Sequence, residues 1–406
     1  MGDAIISRRG SEYTTINFDG TQAITKVNYF LPYGYGNAYS AATTLGEYAV
    51  FAGGQTSSNT SNTINTVFAI DVNSFLLRLP DMYTPRRFLA AATVKDMSAS
   101  RAAALFAGGV DANGNNLSTI EVYYQDFTHD EGTLTLPNAT YALTGVTFGD
   151  YALFAGGTND STRFASAVAF SADWTRTILS DLDAAGDNIG GACNSNYAIF
   201  AGGWNSSGFV SSATAYDSTL AKVTPLPPSL SVARNNIAAG TAGDYALFVG
   251  GETGSNSATN VVEAYDKNLN KVSASNYTWT VKKASAASLG SYLLVAGGMG
   301  AKNHYNIARY YDSNLVLHET GALFHLSING SAASAGEYAY FYGGHQGNSY
   351  WGEVDVYHLP NKVTVYPGTK YKLGSMQNET TSSTMQTITT DTPISGYIKI
   401  KNATIS

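Results

Sequence analysis

The chain has 406 residues, of which 44% are apolar and only 13% charged, about half the usual charged share, and its formal net charge is −7. It carries no block of basic residues, which argues against a grip on a phosphate backbone and so against a nucleic-acid partner. There is also no run of 18 apolar residues of the kind that spans a membrane as a helix.

In chain order, Met1-Gly2-Asp3-Ala4-Ile5-Ile6-Ser7-Arg8-Arg9-Gly10 lacks an apolar core of signal-peptide length, and its arginines lie on the wrong side of one. Export by the ordinary secretory route is not expected. Ser7 stands one place late for a myristoylation site. This opening resembles those of phage and prophage structural proteins, which implies a virion component. Two strand-like segments follow, at 14–18 and 24–32. From there an apolar run ending in two glycines recurs seven times, at Gly53-Gly54, Gly108-Gly109, Gly156-Gly157, Gly202-Gly203, Gly250-Gly251, Gly297-Gly298 and Gly343-Gly344. The steps between first glycines are 55, 48, 46, 48, 47 and 46 residues. The first step is longer because an inner hairpin there carries Lys95-Asp96-Met97-Ser98-Ala99-Ser100.

The fifth repeat shows the unit most clearly. Small residues at 236–241 lead through a turn at 242–244 into Tyr245-Ala246-Leu247-Phe248-Val249 and the glycine pair. A polar loop, the stretch Val261-Val262-Glu263-Ala264-Tyr265, a second turn and a weaker strand around Val272 complete it. Four short strands separated by turn residues are what one propeller blade needs. The innermost strand has least room and takes Ala, Gly, Ser and Thr, as in Ala90-Ala91-Ala92-Thr93 and Ser331-Ala332-Ala333-Ser334. The second strand, sandwiched between blades, is nearly all apolar.

A period near fifty with this glycine pair resembles the kelch family. The resemblance implies an all-β fold, a seven-bladed kelch-like β-propeller with short N- and C-terminal extensions. The expected organisation is an attachment segment at 1–22, the propeller at 23–374, and a Ser/Thr-rich linker with a terminal strand at 375–406. Residues 24–32 match 220–227, so the N-terminal strand is expected to complete the last blade; Lys362-Val363-Thr364-Val365-Tyr366 is the competing segment. One departure from the kelch pattern stands out. The expected tryptophan appears only as Trp174 and Trp279, whereas the third-strand tyrosine is better kept, with Phe68 and Phe170 as substitutes. That puts in doubt a role as a ubiquitin-ligase adaptor.

Cys193 is the only cysteine and aligns with Thr241 on an inner strand, so it reads as packing. The six histidines show no paired metal-ligand spacing. Asp111-Ala112-Asn113-Gly114-Asn115 opens like a calcium loop but lacks the glutamate at the twelfth position, where Val122 stands, and turn chemistry explains it better. No cofactor or metal is expected. Arg86, Arg87 and Arg234 start inner strands, with Lys282 and Lys283 in a matching place and Asp187 and Asn188 there in the fourth repeat. They suggest a mildly basic ring round a channel mouth, suited to a small anion. The loops after the glycine pairs carry Arg163, Trp204, His304, Tyr305, His345, Tyr350 and Trp351, aromatic and polar side chains fit for sugar or protein recognition.

Taken together, the sequence points to a non-catalytic binding or structural propeller, and the resemblance of its opening implies a phage virion or tail-associated component. Its expected partner is a glycan or a protein, with assembly or self-association through the termini. The alternative is a propeller-face enzyme, either a copper oxidase resembling galactose oxidase or a sugar-modifying enzyme.

Overall fold

Each repeat folds as its residues dictate: the stretch of small residues and the apolar run after it pair as an antiparallel hairpin in all seven repeats. The computed structural model describes residues 5–7, 14–16, 24–32, 36–95, 102–359, 364–365, 371–375, 386–388, 394–395 and 403–405. The insertion beyond Lys95, most of the N-terminal ten residues and most of the Ser/Thr-rich stretch lie outside those residues. Residues 31–354 form one compact unit, and residues 1–30 with 355–406 form another.

The inner strands of the seven blades are Ala41–Leu45, Ala90–Val94, Thr144–Phe148, Gly190–Cys193, Ala238–Ala242, Ser285–Leu289 and Ser331–Ala335. In the first blade the sheet continues through Tyr48–Ala52 and Val67–Asp71 to Leu76–Arg78, and the second, third, fifth and sixth blades repeat that order. The fourth has three strands and a single bridge from Tyr216 to Lys222 where the outer strand would run. In the seventh the order is Ser331–Ala335, Tyr338–Tyr342, Glu353–His358 and Thr25–Pro32, so its outer strand comes from the N-terminal side of the chain. The fold is the expected all-β, seven-bladed β-propeller.

Within the second unit, Lys26 and Asp355 form an ion pair, and Ile5–Ser7 pairs with Thr14–Ile16. Thr364–Val365, from the competing segment, pairs with Ile394–Ser395. Tyr371–Ser375 lies between Gln386–Ile388 and Ala403–Ile405. The terminal strand expected at 396–402 falls outside the described residues.

Packing follows from side-chain volume. The inner strands alternate buried and half-buried residues, and the second strands are buried throughout after their first tyrosine or equivalent. Ala42, Ala91, Gly145, Gly191 and Ala239 each stand opposite a phenylalanine of the second strand, respectively Phe51, Phe106, Phe154, Phe200 and Phe248. A small residue on the narrow strand thus leaves room for a ring on the wider one. Two residues further along, at the fourth position, the seven inner strands carry Thr44, Thr93, Thr147, Cys193, Thr241, Ser288 and Ser334, all small donors. Thr44 donates to the Ser334 carbonyl (2.6 Å), Thr93 to that of Thr44 (2.6 Å) and Thr241 to that of Cys193 (2.6 Å). Cys193 does the same towards the Thr147 carbonyl at 3.5 Å, and burial pushes its thiol pKa up. It therefore serves in place of a hydroxyl.

The glycine pairs stitch one blade to the next. The N–H of the second glycine donates to a carbonyl just ahead of the following inner strand: Gly54 to Arg86, Gly109 to Thr140, Gly157 to Gly186, Gly203 to Arg234, Gly251 to Val281, Gly298 to Ser327 and Gly344 to Asn37, all at 2.6–2.9 Å. The last of these returns from blade seven to blade one. The first glycine lies against the same carbonyl. At Gly250, where φ is +62°, a Cβ would sit 2.3 Å from the Val281 oxygen. Gly149 has a similar φ of +56° but open space around its Cβ position. Both positions charge a side chain the left-handed backbone cost of roughly 1–2 kcal/mol, and only Gly250 adds a backbone clash. Gly250→Ala should therefore destabilise the protein at least twice as much as Gly149→Ala, as read from urea denaturation midpoints.

Candidate functional site at the mouth of the axis

Just ahead of each inner strand the backbone turns left-handed at one residue per blade: Tyr39, Phe88, Ala142, Asn188, Asn236, Lys283 and Asn329, with φ between 49° and 62°. Their peptide groups form a closed circuit. Tyr39 N–H donates to Asn329, Phe88 to Tyr39, Ala142 to Phe88, Asn188 to Ala142, Asn236 to Asn188, Lys283 to Asn236 and Asn329 to Lys283, at 2.9–3.2 Å. Every peptide N–H and C=O of the circuit is thereby satisfied, and only side chains remain for anything outside. These residues line a basin of about 230 Å³.

The side chains differ round the circuit. Phe88 and Tyr39 hold their rings 4.3 Å apart, tilted by 47°, with Ala142 beside them. Across the basin stand three asparagines and Lys283. Each asparagine is anchored through its amide nitrogen: Asn188 donates to Asp187 Oδ1 (2.8 Å), Asn236 to Glu252 Oε2 (3.0 Å) and Asn329 to His345 Nε2 (3.2 Å). The acceptors fix the amide orientation, because a flipped amide would set its oxygen against a carboxylate oxygen at Asn188 and Asn236 and against the lone pair of His345 Nε2 at Asn329. The three carbonyl oxygens receive no hydrogen bond from the described residues. Lys283 makes no ion pair among them either.

His345 organises one side of the rim. Its Nδ1 lies 3.0 Å from the Gly347 carbonyl, which can only accept, so Nδ1 carries the proton. Nε2 then accepts from the Tyr39 hydroxyl (2.9 Å) and from Asn329, and the ring stacks on Tyr350. Burial, chiefly, lowers the His345 pKa; Lys283 and His304 lower it further, while the Gly347 carbonyl acts in the opposite sense. The imidazole is therefore neutral at pH 7.

The expected site residues take different places. Lys283 lines the basin. Arg86 and Arg234, expected at the mouth, are fully buried at 0% exposure and have no surface for a ligand. Arg86 Nη2 meets Glu121 Oε1 at 2.8 Å and also bonds Thr119 and the Gly108 carbonyl, while Glu121 holds His129 on its other oxygen. Arg234 Nη2 lies 2.9 Å from Glu263 Oε2. Arg87 is buried and spends Nη1 on Thr63 (2.7 Å) and nearby carbonyls. Lys282 pairs with Glu252 at 2.6 Å, and Arg163 pairs with Asp187 at 3.1 Å while lying 4.4 Å over the Trp204 ring. The basic ring is thus largely consumed in ion pairs, and the mouth is rich in acceptors.

Bridges from Asp187 to Trp204 and from Ile328 to His345 place the hairpins after the glycine pairs on the same face as the basin. Trp204 opens the hairpin Trp204–Asn205 with Gly208–Phe209. Tyr350 closes the hairpin begun by His345, and its hydroxyl accepts from Gln55 at 3.1 Å. Trp351 stacks on His325 at 3.9 Å and donates to the Leu326 carbonyl, and Tyr305 packs near Trp279. His304 bridges Met299 through its backbone.

Tyr39, Phe88, Asn236 and Asn329 were not singled out by the sequence. Their signal was positional, since each occupies the place of Lys283 and Asn188 in its own repeat.

Among the described residues no three His, Cys, Asp or Glu side chains stand at metal-holding distance. A tyrosine–cysteine cofactor does not fit, because Cys193 touches Thr147 and Thr241 rather than a tyrosine. Asp111 is spent as an Asx turn, accepting from the backbones of Asn113 and Asn115 at 2.8 Å each.

Two outcomes follow from these contacts. Arg86→Met takes the guanidinium from a buried carboxylate, leaving it His129 and the N–H groups of Tyr83 and Thr84, and should cost about 3–5 kcal/mol, whereas Arg86→Met with Glu121→Leu should cost less than the single change. Urea unfolding of both variants checks this. His345 has a folded-state pKa below its unfolded value of about 6.5, so its contribution to stability is complete above that pH. The contribution is lost as pH falls through the folded value. His345→Gln should remove that part of the pH dependence of the melting temperature below about pH 6.5.

No family model matches the chain, and no curated protein matches it. Solved structures do match, 438 chains in all. One of them, titled "Structure of YjhT", is 10% identical with a TM-score of 0.53, over 71% of this chain and 98% of its own. At that identity the likeness is one of fold alone, and the fold is a β-propeller.

Proposed function

We propose that the protein is a non-catalytic binding propeller that takes a glycan on the face where the basin and the glycine-pair hairpins open. The observation that carries this reading is the fixed pose of the side chains on that face. Trp204 lies under Arg163, the His345 ring stacks on Tyr350, and the basin asparagines are anchored by their nitrogens. Rings held at rest and amide oxygens left without donors bind hydroxyl-rich surfaces at little entropic cost. The likeness to kelch propellers is compatible with such a role, and propellers as a class host both binding and catalysis. A protein surface decorated with sugar would meet the same groups.

The chain ends form a unit of their own, which suits attachment to a larger assembly, such as a virion or tail structure, or to further copies of the chain. Binding of the full-length chain to a glycan array tests the reading. Retention of hydroxyl-rich glycans is expected, with Trp204→Ala weakening it about tenfold through the loss of one aromatic platform. An array on which nothing is retained with Kd tighter than about 1 mM would sink it.

A further inference from the structure

From the mouth of the axis we infer that the basin is a subsite for a single neutral pyranose ring; this deepens the glycan-binding reading and rests on it. The volume, about 230 Å³, lies below the range of roughly 300–1,000 Å³ for drug-sized ligands, which suits one ring and not a chain of them. The lining is divided as a sugar is divided. Phe88 and Ala142 with the Tyr39 ring give an apolar wall for the C–H face. Opposite, the oxygens of Asn188, Asn236 and Asn329 take hydroxyl protons, and Lys283 donates to a hydroxyl or ring oxygen.

Charge argues against a simple anion. Arg163 and Lys282 on this rim, with Arg234 and Arg86 beneath it, already face carboxylates, so three acceptor oxygens stand against one ammonium. The amide nitrogens that would reverse this balance are held by Asp187, Glu252 and His345.

Backbone conformation accounts for part of this lining. Asparagine tolerates the left-handed region, so its presence at three circuit positions follows from the fold alone. Tyr39, Phe88 and Lys283 adopt the same conformation at φ 62°, 56° and 57°, where their side chains are disfavoured. Phe127, Trp174, Leu220, Leu269 and Leu315 take the same conformation in the outer turns, so what sets Tyr39, Phe88 and Lys283 apart is that all three line one basin.

The test is calorimetric titration of the full-length chain with glucose, galactose and N-acetylglucosamine, beside glucuronate and inorganic sulfate. At least one neutral sugar should saturate a single site. Phe88→Asn removes the apolar wall but suits the backbone, so it should weaken that sugar about tenfold while leaving the melting temperature unchanged or higher. Should Phe88→Asn fail to fold, Lys283→Asn, which carries the residue of three sister blades, should weaken the same sugar severalfold. Tighter binding of sulfate or glucuronate than of any neutral sugar would overturn the inference. So would array glycans bound equally by the native chain and Phe88→Asn, although the glycan reading would then survive. A chain that retains neither monosaccharide nor glycan would overturn both.

Discussion

Seven peptide hydrogen bonds running head to tail round the axis are the constraint on which the rest of the propeller depends. A circuit of this kind closes only if each blade contributes one residue with its N–H facing one neighbour and its C=O the other, and the left-handed turn achieves that. The glycine pairs form a second circuit, from each blade to the carbonyl ahead of the next inner strand. Because the first glycine lies against that carbonyl, the spacing between blades leaves no room for a Cβ. Together the two circuits satisfy much of the backbone at the narrow end of the wedge, with side chains such as Asn37, Arg86 and Ser327 capping first-glycine carbonyls. They also fix where seven side chains stand, so the mouth is set by the backbone before any ligand arrives.

The same geometry decides the fate of the charges. Arg86 and Arg234 follow the outer loops and precede the circuit, which turns them inward along the third strand of their own blades. There Glu121 and Glu263 stand in equivalent register, opposite Phe106 and Phe248. A buried pair of this sort adds little net stability but is costly to break, and its main effect is to fix which strand lies beside which loop. With these cations used inside, what remains at the surface is a set of amide oxygens, two aromatic rings and one ammonium. That inventory underlies the proposed preference for hydroxyl groups over phosphate or sulfate.

Much of the fold was legible in the sequence. The glycine pairs, the small inner strands and the match between residues 24–32 and 220–227 led to seven blades with an outer strand from the N-terminal side. Cys193 could be placed from its alignment with Thr241, although its part as a donor in place of a hydroxyl needed the neighbouring Thr147 carbonyl. The site was less legible, because its members are not the residue types that a left-handed turn predicts. Phe88 and Lys283 carry no local mark of positive φ, so only their shared place in the repeat connects them. The arginines misled for a related reason: position put them at strand starts, but burial depended on a glutamate some thirty residues downstream. The repeats did contain that signal. Arginine at this place occurs only in the two blades that carry glutamate at the matching point of the third strand, whereas the others have Phe68, Val168, Thr214, Arg309 and Asp355 there.

The most direct test of the claim that the closed circuit sets the mouth is amide hydrogen exchange at its seven members. If the circuit is the constraint that holds the blades together, the amides of Tyr39, Phe88, Ala142, Asn188, Asn236, Lys283 and Asn329 should all exchange only through global unfolding, with one common free energy. Exchange that is fast at Tyr39 and Asn329, or graded from blade to blade, would show an axis that opens locally and a mouth not fixed by its backbone.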